Sequence, residues 1–178
     1  MELNKVLQER RSVRKYLGDP VPAEKLELIL EAARIAPSWS NLQCWRFIVV
    51  SDPEKKKALA ESMPASNPAR KAVGETAPLV LVLCADPKES GDQDGKDYYL
   101  LDSGLAMQQL MLAAHAENLG TCWVAWFDEE TVRKACAVPP EFRIVALSPL
   151  GFPENQPSQR PRKNLSEIAF SETWGTPL

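Results

Sequence analysis

The sequence predicts a single mixed domain, α+β or three-layer α/β, in which a four-stranded sheet is covered by helices. Three observations lead there. Four β-prone runs, at residues 45–50, 78–84, 121–127 and 142–150, are interleaved with segments whose apolar residues recur at helical spacing. The helices do not alternate cleanly enough for a doubly wound sheet, and neither G-x-G-x-x-G nor G-x-x-x-x-G-K-[ST] occurs, which disfavours the usual dinucleotide fold. The 178 residues, 44% hydrophobic and 25% charged, suffice for one compact core.

Each element has a local cause. Leu3, Val6 and Leu7 repeat at helical spacing, and a basic run from Arg10 to Arg14 follows at the helix exit. Pro20 and Pro22 open the next helix, with Leu26, Ile29, Leu30 and Ala33 on one face until Pro37 ends it. Residues 38–43 are polar and loop-like, and Trp45–Val50 is a strand. Pro53 starts a charged helix through about Met63, and Asn67–Glu75 adds a helical turn or two. Pro78–Cys84 is apolar throughout, as in a strand covered on both faces. Residues 87–96, rich in Asp, Gly and Ser, form an exposed loop.

Residues 98–118 make a long, largely buried central helix carrying Leu101, Leu105, Leu110, Leu112 and Ala113, with Gly120 at its C-terminal end. Thr121–Phe127 is β-prone, Asp128 caps a short helix closed by Pro139 and Pro140, and Phe142–Leu150 is the fourth strand. The tail from Gly151 has few apolar residues and lies on a surface, its own or a partner's.

Composition narrows the chemistry. Twenty-one Lys and Arg against 24 Asp and Glu give a net charge of −3, so no global basic field holds a nucleic acid. The N-terminus lacks a signal-peptide layout and no apolar stretch suits a bilayer, so a cytoplasmic, membrane-free protein is expected. Four dispersed cysteines without C-x-x-C are expected to be reduced, and the single histidine, His115, argues against a metal site.

Arg10, Arg11, Ser12 and Arg14 put three guanidinium groups and a hydroxyl at a helix end, a cradle for phosphate oxygens or a solvated basic turn. Arg160, Arg162 and Lys163 form a second cluster in an extended Pro-rich segment. Two such clusters on an acidic chain point to an anionic ligand. Pro37, Ser38, Trp39, Ser40, Asn41 and Gln43 offer amides, hydroxyls and an indole to a heteroaromatic ring, or simply form a helix-to-strand turn. Asp102, Ser103 and His115 are no catalytic triad, because the histidine lies about thirteen positions down the same helix, near 20 Å away. His115 reads as a satisfied core or interface imidazole, and Cys44 and Cys122 as inert buried thiols.

Arg10-Arg11-Ser12-Val13-Arg14-Lys15-Tyr16 and Ala36-Pro37-Ser38-Trp39-Ser40-Asn41-Leu42-Gln43-Cys44-Trp45-Arg46-Phe47 resemble, in order, R-R-S-x-R-x-[FY] and A-P-S-x-x-N-x-Q-P-W-x-F of the nitroreductase family of FMN-dependent oxidoreductases. Leu119–Val124, Ala146–Pro153 and Arg160–Leu165 continue the resemblance. It implies a nitroreductase-like three-layer α+β fold with a mostly antiparallel sheet, as one domain over residues 1–178. It also implies a domain-swapped homodimer in which residues 152–178 wrap the partner.

One tightly bound FMN per site would be held by Arg10, Arg11, Ser12, Arg14, Arg160 and Arg162, with Arg14 near the pyrimidine ring. Pro37, Ser38, Trp39, Ser40 and Asn41 would come from the other subunit, Gln43 would reach the ring, and Ala125 and Trp126 would cover its edge. NADH or NADPH would give two electrons through flavin N5 to a nitroaromatic, quinone or enone, with no catalytic side chain required. Alternatives within the resemblance are a non-enzymatic flavin sensor or store, and a dehalogenating or flavin-cleaving branch. Trp39, Cys44 and Trp126 depart from the family pattern, and the short segment after residue 86 implies no lid and an open pocket.

Overall fold

The computed structural model describes residues 2–178. In chain order the elements are α1 (Leu3–Glu9), α2 (Ala23–Arg34), β1 (Trp45–Val50), α3 (Pro53–Glu61), a π-helical turn (Ala72–Thr76) and β2 (Leu79–Ala85). There follow a small hairpin of β3 (Asp92–Gln93) and β4 (Lys96–Asp97), then α4 (Tyr98–Ala116), β5 (Gly120–Thr121), α5 (Glu129–Cys136) and β6 (Arg143–Gly151). The main sheet runs β1-β2-β6-β5, and every pairing in it is antiparallel.

The interior position of β2 explains its unbroken apolar run. Leu81, Leu83 and Ala85 face a core built with Ile29 and Ala33 of α2 and Ala106, Met107 and Leu110 of α4. Val80, Val82 and Cys84 face the opposite core, with Leu59 of α3, Val73 and Val132 of α5. Strand alternation thus serves two layers of helix at once. A register shift opposite Leu83 and Cys84 lets both Val145 and Ala146 pack on the α2–α4 side.

Local chemistry sets the helix ends. Asp52 accepts from the Lys55 N–H at 2.9 Å with Pro53 in the first turn, and Asp128 accepts from the Thr131 N–H at 2.8 Å. α2 ends at Arg34, before Pro37.

Several expectations need correction. The β-prone run Thr121–Phe127 pairs as a strand only at Gly120–Thr121, with one further bridge between Val124 and Leu147. The ladder breaks because the Cys122 N–H donates to the Ser148 hydroxyl instead of to a backbone carbonyl. The central helix stops at Ala116, and Asn118, at φ 62°, takes the left-handed position assigned to Gly120. Gly120 has another duty, since a Cβ there would lie 2.7 Å from the Val13 side chain. Leu101 and Leu105 of α4 are exposed in the single chain, as are Leu28 of α2 and Ile35 just past its end. Residues 87–96 are not a plain loop but a 3₁₀ turn and most of the β3–β4 hairpin. No helix among the described residues is long and apolar enough to cross a membrane, and none of their His, Cys, Asp and Glu side chains cluster in metal-binding groups.

Glu129 locks α5 to β6. Its carboxylate accepts from Arg133 Nη2 at 2.9 Å, Arg143 Nη2 at 3.0 Å and the Ile144 N–H at 2.9 Å. Burial pushes this carboxyl up, but the bonds from Arg143 and Ile144 and the charges of Arg143 and Arg133 outweigh it and hold the group below its ordinary 4.5. The stabilisation is therefore complete above that value and is lost as pH falls through the lower folded value. Glu129→Ala is expected to cost about 1–3 kcal/mol at neutral pH, because Arg143 and the Ile144 N–H lose their partner while Arg133 is left with its ion pair to Glu130. Urea denaturation of variant and parent should show that gap at pH 7 and a narrower one near pH 3.

Candidate functional site

The chain's two ends meet at the exit of α1. Residues 12–17 run alongside the sheet: Ser12 pairs with Thr121, and the Val13 N–H donates to the Thr121 carbonyl at 2.9 Å. The tail returns on the other side, where the Leu17 N–H donates to Phe152 and the Glu154 N–H to Lys15. Tyr16 anchors the segment from beneath: its buried hydroxyl donates at 2.8 Å to the Val13 carbonyl, and burial pushes its pKa up, so it stays a neutral donor. Gln156 Nε2 then bonds the Glu9 carbonyl at 3.1 Å, holding the tail along α1's last turn.

This backbone pairing closes a cavity of about 400 Å³ lined by Arg10, Arg11, Ser12, Arg14, Pro157, Ser158, Arg160 and Arg162. Two basic clusters some 150 residues apart become one. Among the described residues, none of these five arginines makes an ion pair with a carboxylate. Burial, and then the charges of Arg11 and Arg162, hold the Arg10 guanidinium below its usual pKa. Arg11 turns partly back, donating through Nη1 to the Gln8 and Arg10 carbonyls, while its buried Nε has no protein partner. A dianion in this cavity would meet charge-assisted donors and relieve their mutual repulsion.

Pro37, Ser38, Trp39, Ser40, Asn41 and Gln43 lie elsewhere. They join α2 to β1 in a tight loop with Ser40, Asn41 and Gln43 all at positive φ, and the Ser38 hydroxyl accepts from the Gln43 N–H at 3.0 Å. The loop is pinned to the start of α4, where Asp102 Oδ1 accepts from the Trp39 N–H at 3.0 Å. The cradle lies beyond the other end of α4, past Asn118, about 24 Å along the axis at 1.5 Å per residue. Within one chain, loop and cradle do not share a cavity.

Ala125 and Trp126 follow the Val124–Leu147 bridge and stand exposed. Sequence reasoning missed Asn67, whose Nδ2 donates to the Trp126 carbonyl at 3.4 Å and whose Oδ1 accepts from the Ala69 N–H at 3.0 Å. An asparagine before proline at a helical turn was its only signal. It also passed over Asp102, read only as a rejected triad member.

All four cysteines are free thiols. Burial and the Asp102 charge push Cys44 up to about 11, and burial raises Cys122 despite Arg14. Both stay protonated near neutrality, which disfavours nucleophilic chemistry. The buried Nε2 of His115 has no partner within the chain, which does not suit a satisfied core imidazole, and burial lowers its pKa.

The fold and the arginine cradle define a class, and sequence and structure comparisons agree on it. The chain matches the Nitroreductase family over residues 7–152 and belongs to that family of oxidoreductases. It is 35% identical to the NADH dehydrogenase of Thermus thermophilus, covering 85% of this chain and 88% of the relative. It is 30% identical to the 5,6-dimethylbenzimidazole synthase of Rhodospirillum rubrum, over 86% and 83%. Among solved structures, a nitroreductase family protein from Clostridium novyi NT superposes with a TM-score of 0.84 at 36% identity, over 99% and 97% of the two chains. An FMN-dependent nitroreductase from Clostridium difficile R20291 gives a TM-score of 0.76 at 28% identity, over 96% of each.

Gly120 is the point where the arginine segment rests on the sheet. Gly120→Ala drives a methyl into Val13 and is expected to destabilise the fold by about 1–3 kcal/mol. Thermal denaturation of the variant checks this, with an unchanged Tm counting against the contact.

Proposed function

We propose that the protein is an FMN-dependent oxidoreductase that passes two electrons from NADH or NADPH to a small oxidised acceptor such as a nitroaromatic, quinone or enone. The observation that carries the reading is the convergence of Arg10, Arg11, Arg14, Arg160 and Arg162 on one cavity without a carboxylate partner. A protein of net charge −3 concentrates positive charge there for an anion, and a flavin monophosphate supplies one.

The residues present fit that group. Arg10, Arg11, Arg160 and Arg162 with the Ser12 hydroxyl match the oxygens of a phosphate, and the orphaned Arg11 Nε offers a further donor. Arg14 extends from the same cavity and would place positive charge beside the pyrimidine edge, where reduction leaves negative charge. Ala125 and Trp126, braced by Asn67, would border the ring. When bound, FMN supplies the two-electron transfer between nicotinamide and acceptor, which is why no protein acid or base is required.

The site is shared between two copies. The Pro37–Gln43 loop cannot reach its own cradle along α4, so a partner's loop completes it. Exposed apolar side chains support a homodimer: Leu28 on α2 and Ile35 at its end, Leu101 and Leu105 on α4, and Ile168 and the 92%-exposed Trp174 in the tail. Residues 152–162 stay with their own chain, pairing through Phe152 and Glu154 and lining its cradle as far as Arg162, so it is residues 163–178 that would wrap the partner. The relative named for 5,6-dimethylbenzimidazole synthesis favours a second reading, the flavin-cleaving branch of the fold.

Purified protein is expected to be yellow and to bleach anaerobically with NADH or NADPH, then recover colour on addition of a quinone. Colour retained over many turnovers supports the oxidoreductase; progressive loss of flavin favours the second reading. A colourless dimer that takes up no added FMN defeats both. Arg14→Ala and Arg162→Ala are each expected to weaken FMN binding by roughly 10- to 100-fold, the worth of one charge-assisted bond. Fluorescence titration with unchanged affinity in both variants would remove the cradle assignment.

A further inference from the structure

We propose that Asp102 is a positioning residue for the acceptor pocket, acting through Trp39. The inference rests on the reading above that the Pro37–Gln43 loop of one protomer reaches its partner's flavin. The Asp102 side chain is buried, with the residue only 3% exposed, and among the described residues it has no cationic partner. An unpaired carboxylate is costly to bury unless donors surround it. Three segments supply them: the Trp39 N–H at 3.0 Å, the Ser90 hydroxyl at 2.8 Å and the Cys44 thiol at 3.9 Å.

The carboxylate is thus the knot that ties the loop, the start of β1 and the segment before β3 to the first turns of α4. The loop needs such a knot. Ser40, Asn41 and Gln43 all occupy the left-handed region, which only glycine adopts without strain, so outside contacts must hold the loop's shape.

The same helix end also fixes the indole. Tyr98 lies one turn before Asp102, and its ring meets that of Trp39 with centroids 4.6 Å apart. The indole also lies against Gly91, where a Cβ would come within 2.6 Å of the ring. Main chain and ring of Trp39 are therefore clamped from three directions, while about 38% of the residue stays exposed. Such an edge forms a rigid wall. Placed beside a partner's flavin, it sets how an acceptor lies in the pocket and acts on acceptor affinity rather than on phosphate binding.

The test compares Asp102→Ala, Asp102→Asn and Gly91→Ala in the full-length, flavin-loaded protein, with NADH and 1,4-benzoquinone. Asp102→Ala is expected to raise the quinone KM about tenfold, with FMN affinity falling less than the roughly 10- to 100-fold expected of Arg14→Ala. Asp102→Asn should restore most of that KM, because its amide oxygen still accepts from the Trp39 N–H and its NH₂ donates to the Ser90 oxygen. Gly91→Ala pushes the indole without touching Asp102, and is expected to raise the same KM, which keeps the test open should Asp102→Ala fold poorly. An unchanged KM in Gly91→Ala, or Asp102→Asn no better than Asp102→Ala, overturns the proposal. If the parent binds no flavin, the reading beneath it has failed; if the parent binds flavin and the variants are silent, only the positioning role has failed.

Discussion

Like charges repel, and this fold forces five guanidinium groups around a single cavity with no carboxylate among them. Backbone hydrogen bonds must hold what electrostatics would scatter. They do so by placing residues 12–17 between Thr121 on one side and Phe152 and Glu154 on the other, with Tyr16 buried underneath. The ladder fixes the Arg14 backbone directly, with Arg10 and Arg11 at its entrance and Arg160 and Arg162 just beyond its exit. The residual repulsion is energy that an anionic ligand can recover on binding.

The three-layer core makes that ladder possible. β2 and β6 are buried on both faces, so the sheet is a firm edge against which the segment from Ser12 can lie. α4 then acts as a spacer. Its far end carries Asp102 and the loop of left-handed residues, its near end leads to the cradle, and its nineteen residues keep them apart. On the reading that loop and cradle belong to one flavin site, a rigid helix of that length would give two chains a reason to meet.

Much of the scaffold was legible because it is written in local chemistry. Pro53 in the first turn of α3 and Asp128 before two glutamates start helices in the structure as their sequence neighbourhoods require. The two-faced burial of β2 follows from an apolar run with no alternation. Where reading failed, a side chain had displaced a backbone partner or a contact had come from far along the chain. Ser148 takes the Cys122 N–H and cuts the strand from Gly120 short, and Val13 rather than a helix end explains Gly120. Asn67 and Asp102 are single polar residues without periodicity, so only their partners in space reveal them.

By itself the sequence determined the mixed fold, most of the helix starts, the two basic clusters and the family motifs, since each depends on residues close together along the chain. Only tertiary structure decided that the clusters converge, that the Trp39 loop lies at the opposite end of α4, and that a buried aspartate holds it. Those outcomes depend on which distant segments pair, and pairing energies sum over the whole core rather than residing in any short stretch.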